Sequence, residues 1–343
     1  MSDGPEPLAG LTRYGAVVTD ALFVRLASVG QADYLAAPMR EYPSRAGKGL
    51  RPSLCLATCE AFGGNIDDAL PSAVAIELLH NAFLVHDDIE DASLLRRGEP
   101  TLHRRFGTAL ALNAGDALAL QAVGTLRENI GALGPRLADR VMLEFDFMSH
   151  QTVAGQALEI GWCRENRLDL EPDDYLDLIM KKTCWYTTVL PLRVGALIGS
   201  WGTADLEPMI DFGFHLGAAF QIRDDILNLV GDADVYGKEA LGDLLEGKRT
   251  LMLIHLLAVA DPSDGRWLEA YLARAVDQRR PEEAAHLHAL MTTYGSIAFT
   301  NEFASGVARS ALASMEVAFA GLVDTPARRF IAELVPYMIE RAS

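Results

Sequence analysis

Apolar residues recur at helical spacing along most of the chain. Residues 51–62, 73–85 and 210–230 show the pattern well, and each carries apolar side chains around most of the helix circumference. Glycine and proline fall between such segments, and no stretch of alternating β-branched residues predicts a strand. Helices that are apolar on most faces are typical of a large bundle or a subunit contact. The pattern therefore predicts an all-α fold of about ten or more helices.

We expect a single domain that spans residues 1–343, because no linker rich in Pro, Gly or Ser divides the chain. The residues are 50% hydrophobic, which is enough apolar material for a large core. The acidic N-terminus lacks the apolar core of a signal sequence, and we expect residues 1–14 to be flexible.

The net charge of −17 argues against nucleic acid or an anionic membrane as the main partner, because both require a basic surface. An anionic ligand would need local cations or a metal ion. The longest apolar run, residues 251–260, is too short to span a bilayer, so integral membrane association is not expected. The cysteines lack paired metal-binding spacing, which favours a reducing, cytoplasmic location; they are Cys55, Cys59, Cys163 and Cys184.

Two acidic sets interrupt apolar helical segments. Asp87 and Asp91 are four residues apart and lie on one helix face with Asp88 beside them, and Asp224 and Asp225 begin a second set inside residues 210–230. Like charges placed so closely require cations. Hard oxygen ligands without a companion His or Cys suit Mg²⁺. A solvated helix end is the alternative for either set alone, but two sets in apolar surroundings favour metal.

Basic residues near these sets are candidate anion ligands, because Mg²⁺ held by few carboxylates completes its shell with water and phosphate oxygens. Surface ion pairs are the alternative for any one of them. Neither GKGLRP nor GKRT fits a Walker P-loop. Taken together, the basic clusters indicate two anionic groups, one bridged by metal and one held by side chains: Lys48 with Arg51, Arg96 with Arg97, Lys182 beside Thr183, Lys238, and Lys248.

The chain resembles the trans-isoprenyl diphosphate synthases, the polyprenyl synthetase family. The resemblance covers residues 40–255 and rests on five motifs in the family's order: GKGLRP (47–52), HNAFLVHDDIEDASLLRRGEPTLH (80–103), KKT (181–183), FQIRDDILNL (220–229) and GDLLEGKRT (242–250). The uninterrupted DDIED and the second DDxxN motif are similar to those of the geranylgeranyl diphosphate synthases. Two positions depart from the common pattern: Asn228 replaces the last aspartate of the second motif, and Glu159 replaces the aspartate of GQxxD after Gln156.

The resemblance implies an isoprenoid synthase-type helical bundle with a central substrate cavity, assembled as a homodimer. It implies that Mg²⁺, as three ions with the diphosphate bound, is held by Asp87, Asp88, Asp91, Asp224 and Asp225. It assigns to the allylic diphosphate Arg96, Lys182, Thr183, Gln221, Lys238 and Lys248, and to isopentenyl diphosphate Lys48, Arg51, His80 and Arg97. The implied catalytic set is Asp87, Asp88, Asp91, Arg96, Lys182, Asp224 and Lys238.

Chain elongation in this family implies ionisation of the allylic diphosphate, attack by the double bond of isopentenyl diphosphate and loss of a proton, for which no protein nucleophile is needed. The length of the product depends on the apolar pocket N-terminal to Asp87, where we expect Ala82, Phe83 and Leu79. The combination of Phe83 with Ala82 favours a C20 product, with C15 or longer products as alternatives. A class I terpene cyclase and an inactive partner subunit of a larger synthase also stay open.

Overall fold

The computed structural model describes residues 6–27, 33–45, 47–230 and 241–340, so Lys238 lies outside the described residues. Its α-helices are α1 (Glu6–Ala27), α2 (Asp33–Ser44), α3 (Leu50–Ala61), α4 (Ile66–Glu90), α5 (Leu102–Phe106), α6 (Thr108–Leu126), α7 (Asn129–Arg164), α8 (Pro172–Ile179), α9 (Leu190–Gly199), α10 (Pro208–Val230), α11 (Gly242–Glu246), α12 (Leu251–Val259), α13 (Pro262–Leu272), α14 (Pro281–Thr293), α15 (Ser296–Ala318) and α16 (Pro326–Glu340).

Three short elements complete the described structure. A π-helical segment (Met180–Val189) joins α8 to α9, strands β1 (Leu95–Arg96) and β2 (Glu99–Pro100) pair as an antiparallel hairpin, and Val276–Gln278 forms a 3₁₀ turn. The predicted all-α fold is therefore confirmed, and the hairpin is too short to have left a periodic signal in the sequence.

Helices α4 and α10 form the interior of the bundle and carry the two acidic motifs near their C-terminal ends. Helix α4 packs against α3, α6 and α9, whereas α10 packs against α15 and the π-helical segment. Helix α4 begins at Ile66 because the Asn65 side chain accepts a hydrogen bond from the Asp67 N–H at 3.1 Å. The C-terminal end of a helix carries partial negative charge, so carboxylates placed there need nearby cations.

Two glycines allow neighbouring helices to approach the π-helical segment. A Cβ atom at Gly155 of α7 would lie 2.3 Å from the backbone nitrogen of Lys182, and one at Gly217 of α10 would lie 2.6 Å from Thr188 Oγ1. Neither distance leaves room for a side chain. The segment that carries Lys182 and Thr183 is therefore held between α7 and α10 by close backbone packing.

Part of the N-terminal stretch that we expect to be flexible, residues 6–14, is helical in the structure. Helix α1 begins at Glu6, and Leu11 and Tyr14 are 6% and 1% exposed. The Tyr14 hydroxyl also donates to Glu60 at 2.6 Å. The acidic composition of the first residues hid an amphipathic helix whose apolar side is buried.

Two described helices, α4 and α6, are long and apolar enough to cross a bilayer by length and composition alone. Within the most apolar 18-residue window, 67% of the residues of α4 and 39% of those of α6 are buried inside the protein. The core helices of large bundles meet the same criteria, so this finding is weak evidence for a membrane span.

Candidate active site

A cavity of about 690 Å³ lies between α4, α7, the π-helical segment and α10. Both acidic motifs reach it, because Asp87 lines it from α4 and Asp224 lines it from α10. Apolar side chains form the rest of the wall at this level, among them Leu178, Ile179 and Phe220. The predicted central substrate cavity is therefore present, with the two motifs on separate helices at one site.

The three aspartates of the first motif have different surroundings. Asp87 lines the cavity, whereas Asp88 is fully buried and accepts hydrogen bonds from the Tyr42 hydroxyl at 2.5 Å and from Arg96 Nε at 3.0 Å. Asp91 accepts from Lys248 Nζ at 2.8 Å. Burial raises the pKa of Asp91 to about 6, although Lys248 opposes the change. Asp88 thus forms its hydrogen bonds inside the protein and does not line the cavity.

The second motif repeats this division between a cavity-facing and a bonded aspartate. Asp225 accepts hydrogen bonds from the Tyr175 hydroxyl and from Gln221 Nε2, both at 2.7 Å. Burial raises the pKa of Asp225 to about 8, and the carboxylate of Asp243 adds to this effect. Asp225 also reaches the cavity wall, but much of its hydrogen-bonding capacity is already used.

Asn228, which replaces the last aspartate of the second motif, is buried and bonds to backbone. Its Oδ1 accepts from the Asp243 N–H, in the first turn of α11, at 3.3 Å. The Asp243 carbonyl in turn accepts from the Lys248 N–H at 3.0 Å. Asn228 therefore satisfies a backbone donor that the short helix leaves without an intrahelical partner, and it supports the turn that carries Lys248.

Two of the predicted cations near the first motif, Lys182 and Arg96, contact carboxylates. Lys182 Nζ contacts Glu159 Oε2 and lies 3.5 Å from Asp87 Oδ1, and Arg96 Nη2 lies 3.3 Å from Asp87 Oδ2. Burial alone would lower the pKa of Lys182, but Glu159 and Asp87 together raise it above the usual value. Both oxygens of Asp87 therefore already face a cation.

Lys248 occupies the other side of this acidic group. Its Nζ lies 2.8 Å from Asp91 Oδ2, 2.7 Å from Glu246 Oε2 and 3.7 Å from Asp243 Oδ1. These three carboxylates outweigh burial and raise the pKa of Lys248 well above its ordinary value. Lys248 is therefore charged, and it links the end of α4 to the turn after α11.

The remaining predicted cations meet elsewhere on the cavity wall. Arg51 Nη2 donates to the Tyr186 hydroxyl at 2.9 Å and to Thr187 Oγ1 at 3.0 Å, and the guanidinium lies 4.4 Å from the centre of the Tyr186 ring. Arg51 Nη1 lies 3.4 Å from His80 Nε2. Burial, together with Arg51 and Arg97, lowers the pKa of His80 well below its ordinary value, so this imidazole is neutral.

Arg97 and Lys48 complete the second cluster. Arg97 has a φ of +56° in the turn between β1 and β2, and its Nη1 donates to the Arg45 carbonyl. Gly47 passes next to the Arg97 guanidinium, which a Cβ atom at that position would approach to 2.8 Å. Lys48 is exposed and lines the same cavity. The structure thus brings all four residues that were predicted to bind isopentenyl diphosphate to one part of the wall.

Of the three residues predicted to control chain length, only Phe83 reaches the cavity. It lines the wall with Leu84, and its ring packs edge-on against Tyr186 with 5.7 Å between ring centres. Ala82 is fully buried in the core, and Leu79 packs against that core. His80, Phe83, Leu84 and Asp87 share one helix face, whereas Ala82 and Leu79 point elsewhere. The placement of Ala82 and Leu79 at the cavity wall is therefore corrected.

Thr183 and Gln221 lie together in the cavity wall, as expected for two residues assigned to one ligand. Thr183 Oγ1 donates to Gln221 Oε1 at 3.0 Å, and Gln221 continues to Asp225. No sequence pattern points to Tyr42 or Tyr175, whose hydroxyls donate to the second aspartate of each motif from 46 and 50 residues away in the chain. Glu159 was identified as a departure without a role, and the structure places it against Lys182.

The cavity wall offers oxygen atoms suited to a hard cation, since Asp87 and Asp224 face it from opposite helices. Within the described ranges, no three side chains of His, Cys, Asp or Glu converge on one metal position. A divalent ion here would therefore need further oxygens from water and from a phosphate ligand, which is the usual coordination of Mg²⁺.

Comparison with known proteins agrees with this geometry. The family described as polyprenyl synthetase matches residues 32–291. A short chain isoprenyl diphosphate synthase from Methanothermobacter thermautotrophicus is 34% identical over 295 residues, which are 86% of each chain. A geranylgeranyl diphosphate synthase from Methanosarcina mazei is 30% identical over 327 residues, which are 94% of each chain.

A solved structure gives the same result for the fold. The geranylgeranyl pyrophosphate synthetase from Pyrococcus horikoshii Ot3 superposes with a TM-score of 0.85 at 29% identity, and the match covers 98% of both chains. Motifs, cavity and relatives all point the same way: this chain belongs to the polyprenyl synthetase family.

Proposed function

We propose that the protein is a trans-prenyltransferase that condenses isopentenyl diphosphate with an allylic diphosphate, and that its main product is the C20 all-trans geranylgeranyl diphosphate. The observation that carries this proposal is the pair of cationic clusters on one cavity. Lys182 and Lys248 lie among carboxylates, whereas Arg51 and Arg97 bond to hydroxyl groups and to a backbone carbonyl. Two diphosphates of different metal dependence fit this arrangement.

The allylic diphosphate would bind at the acidic group. Asp87 and Asp224 line the cavity and are well placed to hold Mg²⁺, on which prenyl synthases generally depend. Asp91, which is paired with Lys248, is kept with them as a predicted ligand, and three ions are expected with the diphosphate bound. Asp88 and Asp225, predicted with them as ligands, would support them through their tyrosine and side-chain bonds. The diphosphate oxygens would be held by Arg96, Lys182, Thr183, Gln221 and Lys248, with Lys238 kept as a sequence prediction.

Isopentenyl diphosphate would bind at the second cluster. Arg51, Arg97 and Lys48 supply positive charge, and neutral His80 supplies a hydrogen bond. Because these groups need no metal to face an anion, the second substrate can be oriented independently of the first. Its double bond would then point toward the allylic carbon across the apolar part of the wall near Phe83.

The reaction follows from this placement. The allylic C–O bond breaks and its electron pair leaves with the diphosphate, whose growing charge is stabilised by Lys182, Lys248 and Arg96. Mg²⁺, when bound, supplies additional positive charge to the same leaving group. The double bond of isopentenyl diphosphate then forms the new C–C bond at the allylic carbon. A proton is lost from the adjacent carbon to the released diphosphate, which restores a double bond.

Phe83 is the residue on which the C20 proposal rests. Its ring closes the wall against Tyr186 one turn before Asp87, where a growing hydrocarbon chain would pass. If the Phe83 ring stops the growing chain earlier, the product would be C15. If it stops the chain later, the product would be longer than C20. The relatives named above include geranylgeranyl and short chain synthases, which supports a product in this range.

A homodimer fits the exposed apolar residues on two adjacent helices. Seven large apolar side chains on α6 and α7 are between 43% and 73% exposed, namely Leu112, Leu120, Val123, Ile130, Leu143, Phe147 and Val153. Apolar surface of this kind is typical of an interface between subunits. The homodimer, the cytoplasmic location and the single domain remain proposals from the sequence.

The test is turnover of isopentenyl diphosphate with dimethylallyl, geranyl or farnesyl diphosphate and Mg²⁺, with the product length read by mass spectrometry. We expect a C20 diphosphate, and a longer product from Phe83→Ala. Products of another length would keep the reaction and overturn the C20 proposal. A hydrocarbon formed from geranylgeranyl diphosphate alone would identify a cyclase, and a folded protein without turnover would favour an inactive partner subunit.

A further inference from the structure

Arg45, the residue that follows α2, lies outside the five motifs and has no part in the proposed reaction. It is 8% exposed, and its guanidinium faces the hairpin of β1 and β2. Nη1 donates to the Arg96 carbonyl at 3.1 Å and lies 3.5 Å from the Glu99 carbonyl oxygen, and Nη2 donates to the Pro100 carbonyl at 2.7 Å. One buried side chain therefore holds the backbone of both strands.

The hairpin needs this support because it is short and contains an unfavourable turn. Each strand has two residues, and Pro100 in β2 has no backbone N–H to donate. An isolated hairpin is at best marginally stable in water. The turn between the strands consists of Arg97 and Gly98, whose φ values are +56° and +77°. A positive φ costs free energy for a residue other than glycine, so Arg97 needs further contacts to hold it in this turn.

Arg45 and Arg97 contact each other in both directions. The Arg45 side chain holds the backbone of the hairpin, and Arg97 Nη1 donates a hydrogen bond back to the Arg45 carbonyl. Gly47 leaves the space that the Arg97 guanidinium fills, since a Cβ atom there would lie 2.8 Å from Nη2. The place of the Arg97 guanidinium on the cavity wall therefore depends on Arg45 and on the residues that follow it.

Arg96, the neighbour of Arg97, is held by a different element. Its Nε donates to Asp88 Oδ1 at 3.0 Å and lies 3.2 Å from Oδ2, so its guanidinium is fixed by α4. The two adjacent arginines of the hairpin thus have separate supports. Loss of the Arg45 side chain should displace the guanidinium of Arg97 much more than that of Arg96.

We infer that Arg45 is a positioning residue that fixes the Arg97 guanidinium where isopentenyl diphosphate binds. This role rests on the proposed function, because that function assigns Arg97 to isopentenyl diphosphate. Arg45 does not line the cavity, and its Nη2 lies 3.1 Å from Glu41 Oε1, so its own charge is already paired. It therefore acts on the substrate through Arg97.

The first test compares Arg45→Met with the unchanged protein by steady-state kinetics at saturating geranyl diphosphate and Mg²⁺. The KM for isopentenyl diphosphate should rise about tenfold, the size expected for one charge-assisted hydrogen bond. Binding of geranyl diphosphate with Mg²⁺, measured by calorimetry, should stay within about threefold, because Arg96 keeps its bonds to Asp88. An unchanged KM, or an equal loss for both diphosphates, would overturn the inference.

The second test is a double-mutant cycle with Arg97→Met. Once the Arg97 guanidinium is gone, Arg45→Met should raise the KM for isopentenyl diphosphate by less than about a further twofold, because the group that it positions is absent. A full additional rise would show that Arg45 acts on the substrate without Arg97. That result would overturn the positioning role.

Arg45→Lys tests the same role with less disturbance of the fold. Glu41 keeps Arg105 as a cationic partner when Arg45 is replaced, so neither variant leaves that carboxylate without an ion pair. A lysine keeps the charge but cannot bond several carbonyls as the planar guanidinium does. The KM for isopentenyl diphosphate should therefore rise about threefold, between the unchanged protein and Arg45→Met. A KM equal to that of the unchanged protein would count against the role of the Arg45 bonds.

Arg279→Met is the matched control, because Arg279 is also 8% exposed, does not line the cavity and donates to three backbone carbonyls. They belong to Leu245, Leu272 and Arg274, at 2.7, 3.0 and 2.9 Å. Both methionine variants should lose thermal stability, but only Arg45→Met should raise the KM for isopentenyl diphosphate. An equal rise in Arg279→Met would attribute the effect to a loosened fold and overturn the inference. Failure of the unchanged protein to bind isopentenyl diphosphate would instead count against the proposed function itself.

Discussion

The two cationic clusters of the cavity achieve their positive charge in different ways. At the cluster proposed to bind the allylic diphosphate (the allylic cluster: Arg96, Lys182 and Lys248), the two lysines are paired with Glu159 and Asp91. At the cluster proposed to bind isopentenyl diphosphate (the isopentenyl cluster: Lys48, Arg51, His80 and Arg97), Arg51 bonds hydroxyl groups and faces a neutral imidazole. The first is a group of lysines paired with carboxylates that a metal and a phosphate must rearrange, whereas at the second one carboxylate, Glu77, acts on both Arg51 and Arg97, and burial raises the pKa of Glu77.

Under the proposed assignment, this difference would allow one protein to distinguish two diphosphates. A diphosphate that brings Mg²⁺ can replace the lysine contacts of Asp87 and Asp91 with metal contacts, and it then gains the released lysines as its own ligands. A diphosphate without metal gains little there, because the lysines are engaged. It is instead attracted to the arginines near Tyr186. Specificity thus follows from the partners of the cations as well as from their number.

The largest expected effect is the loss of turnover when Asp87, beside the allylic cluster, is replaced. Asp87→Ala should lower turnover by about 10² to 10³-fold, because it removes a cavity-facing carboxylate from the group that stabilises the leaving diphosphate. Steady-state kinetics with saturating isopentenyl diphosphate would measure this loss. Asp67→Ala, an exposed aspartate in the first turn of the same helix, should stay within about twofold of the unchanged protein. Comparable losses in both variants would contradict the assignment.

The second largest effect should come from removal of metal, which should lower the affinity for one diphosphate much more than for the other. In excess chelator, the affinity for an allylic diphosphate should fall by about a hundredfold, since the paired lysines are then unavailable to it. The affinity for isopentenyl diphosphate should change by less than about threefold, because Arg51 and Arg97 need no metal to face an anion. Equal metal dependence of the two affinities, measured by calorimetry with each substrate alone, would remove the basis of the comparison.

A change at Arg51 should weaken the binding of isopentenyl diphosphate and leave the binding of the allylic diphosphate almost unchanged, which is the reverse of the effect of removing metal. Arg51→Leu should raise the KM for isopentenyl diphosphate by about thirtyfold, the size expected for losing a charge-assisted hydrogen bond. Binding of an allylic diphosphate with Mg²⁺ should stay within about threefold, which tests whether the two clusters are independent. Tyr186→Phe is a useful companion, because it removes one hydroxyl partner of Arg51 and keeps the ring under the guanidinium.

Much of this site could be predicted from the sequence, because helical periodicity sets which residues share a face. Asp87 and Phe83 line the cavity at a spacing of four, as the helix requires. The same reasoning failed for Ala82, because one sequence does not say which side of a fully apolar helix meets a cavity and which meets the core. Only the packing of α4 against its neighbours decides that.

The side chains that bond the motif aspartates from distant parts of the chain could not be predicted from the sequence. Tyr42 and Tyr175 bond the second aspartate of each motif, yet they lie 46 and 50 residues away in the chain and carry no motif of their own. Asn228 shows the same limit in another way. Its replacement of an aspartate was visible in the sequence, but its bond to the Asp243 N–H depends on how α11 folds back onto α10. Local patterns gave the ligand-facing groups, whereas the groups that hold them needed the fold.

The smallest expected effect concerns the neutral histidine of the isopentenyl cluster. Arg51, Arg97, Arg96 and Asp87 all act on His80, and burial with the three arginines keeps its pKa well below the ordinary value. Below about pH 6.5 the unfolded chain therefore binds a proton at this histidine that the folded protein does not bind. The contribution of His80 to the free energy of unfolding is accordingly lost as the pH falls through that value.

Urea denaturation between about pH 5.5 and 6.5 should show the free energy of unfolding falling less steeply in His80→Gln than in the unchanged protein, by up to about 1.4 kcal/mol per pH unit. His150→Gln removes a histidine that is 79% exposed and should leave the slope as it is. An unchanged slope in His80→Gln would mean that His80 takes up its proton in the folded protein. The isopentenyl cluster would then carry one more cation at low pH besides Lys48, Arg51 and Arg97, and its contrast with the allylic cluster would be sharper than neutral His80 makes it.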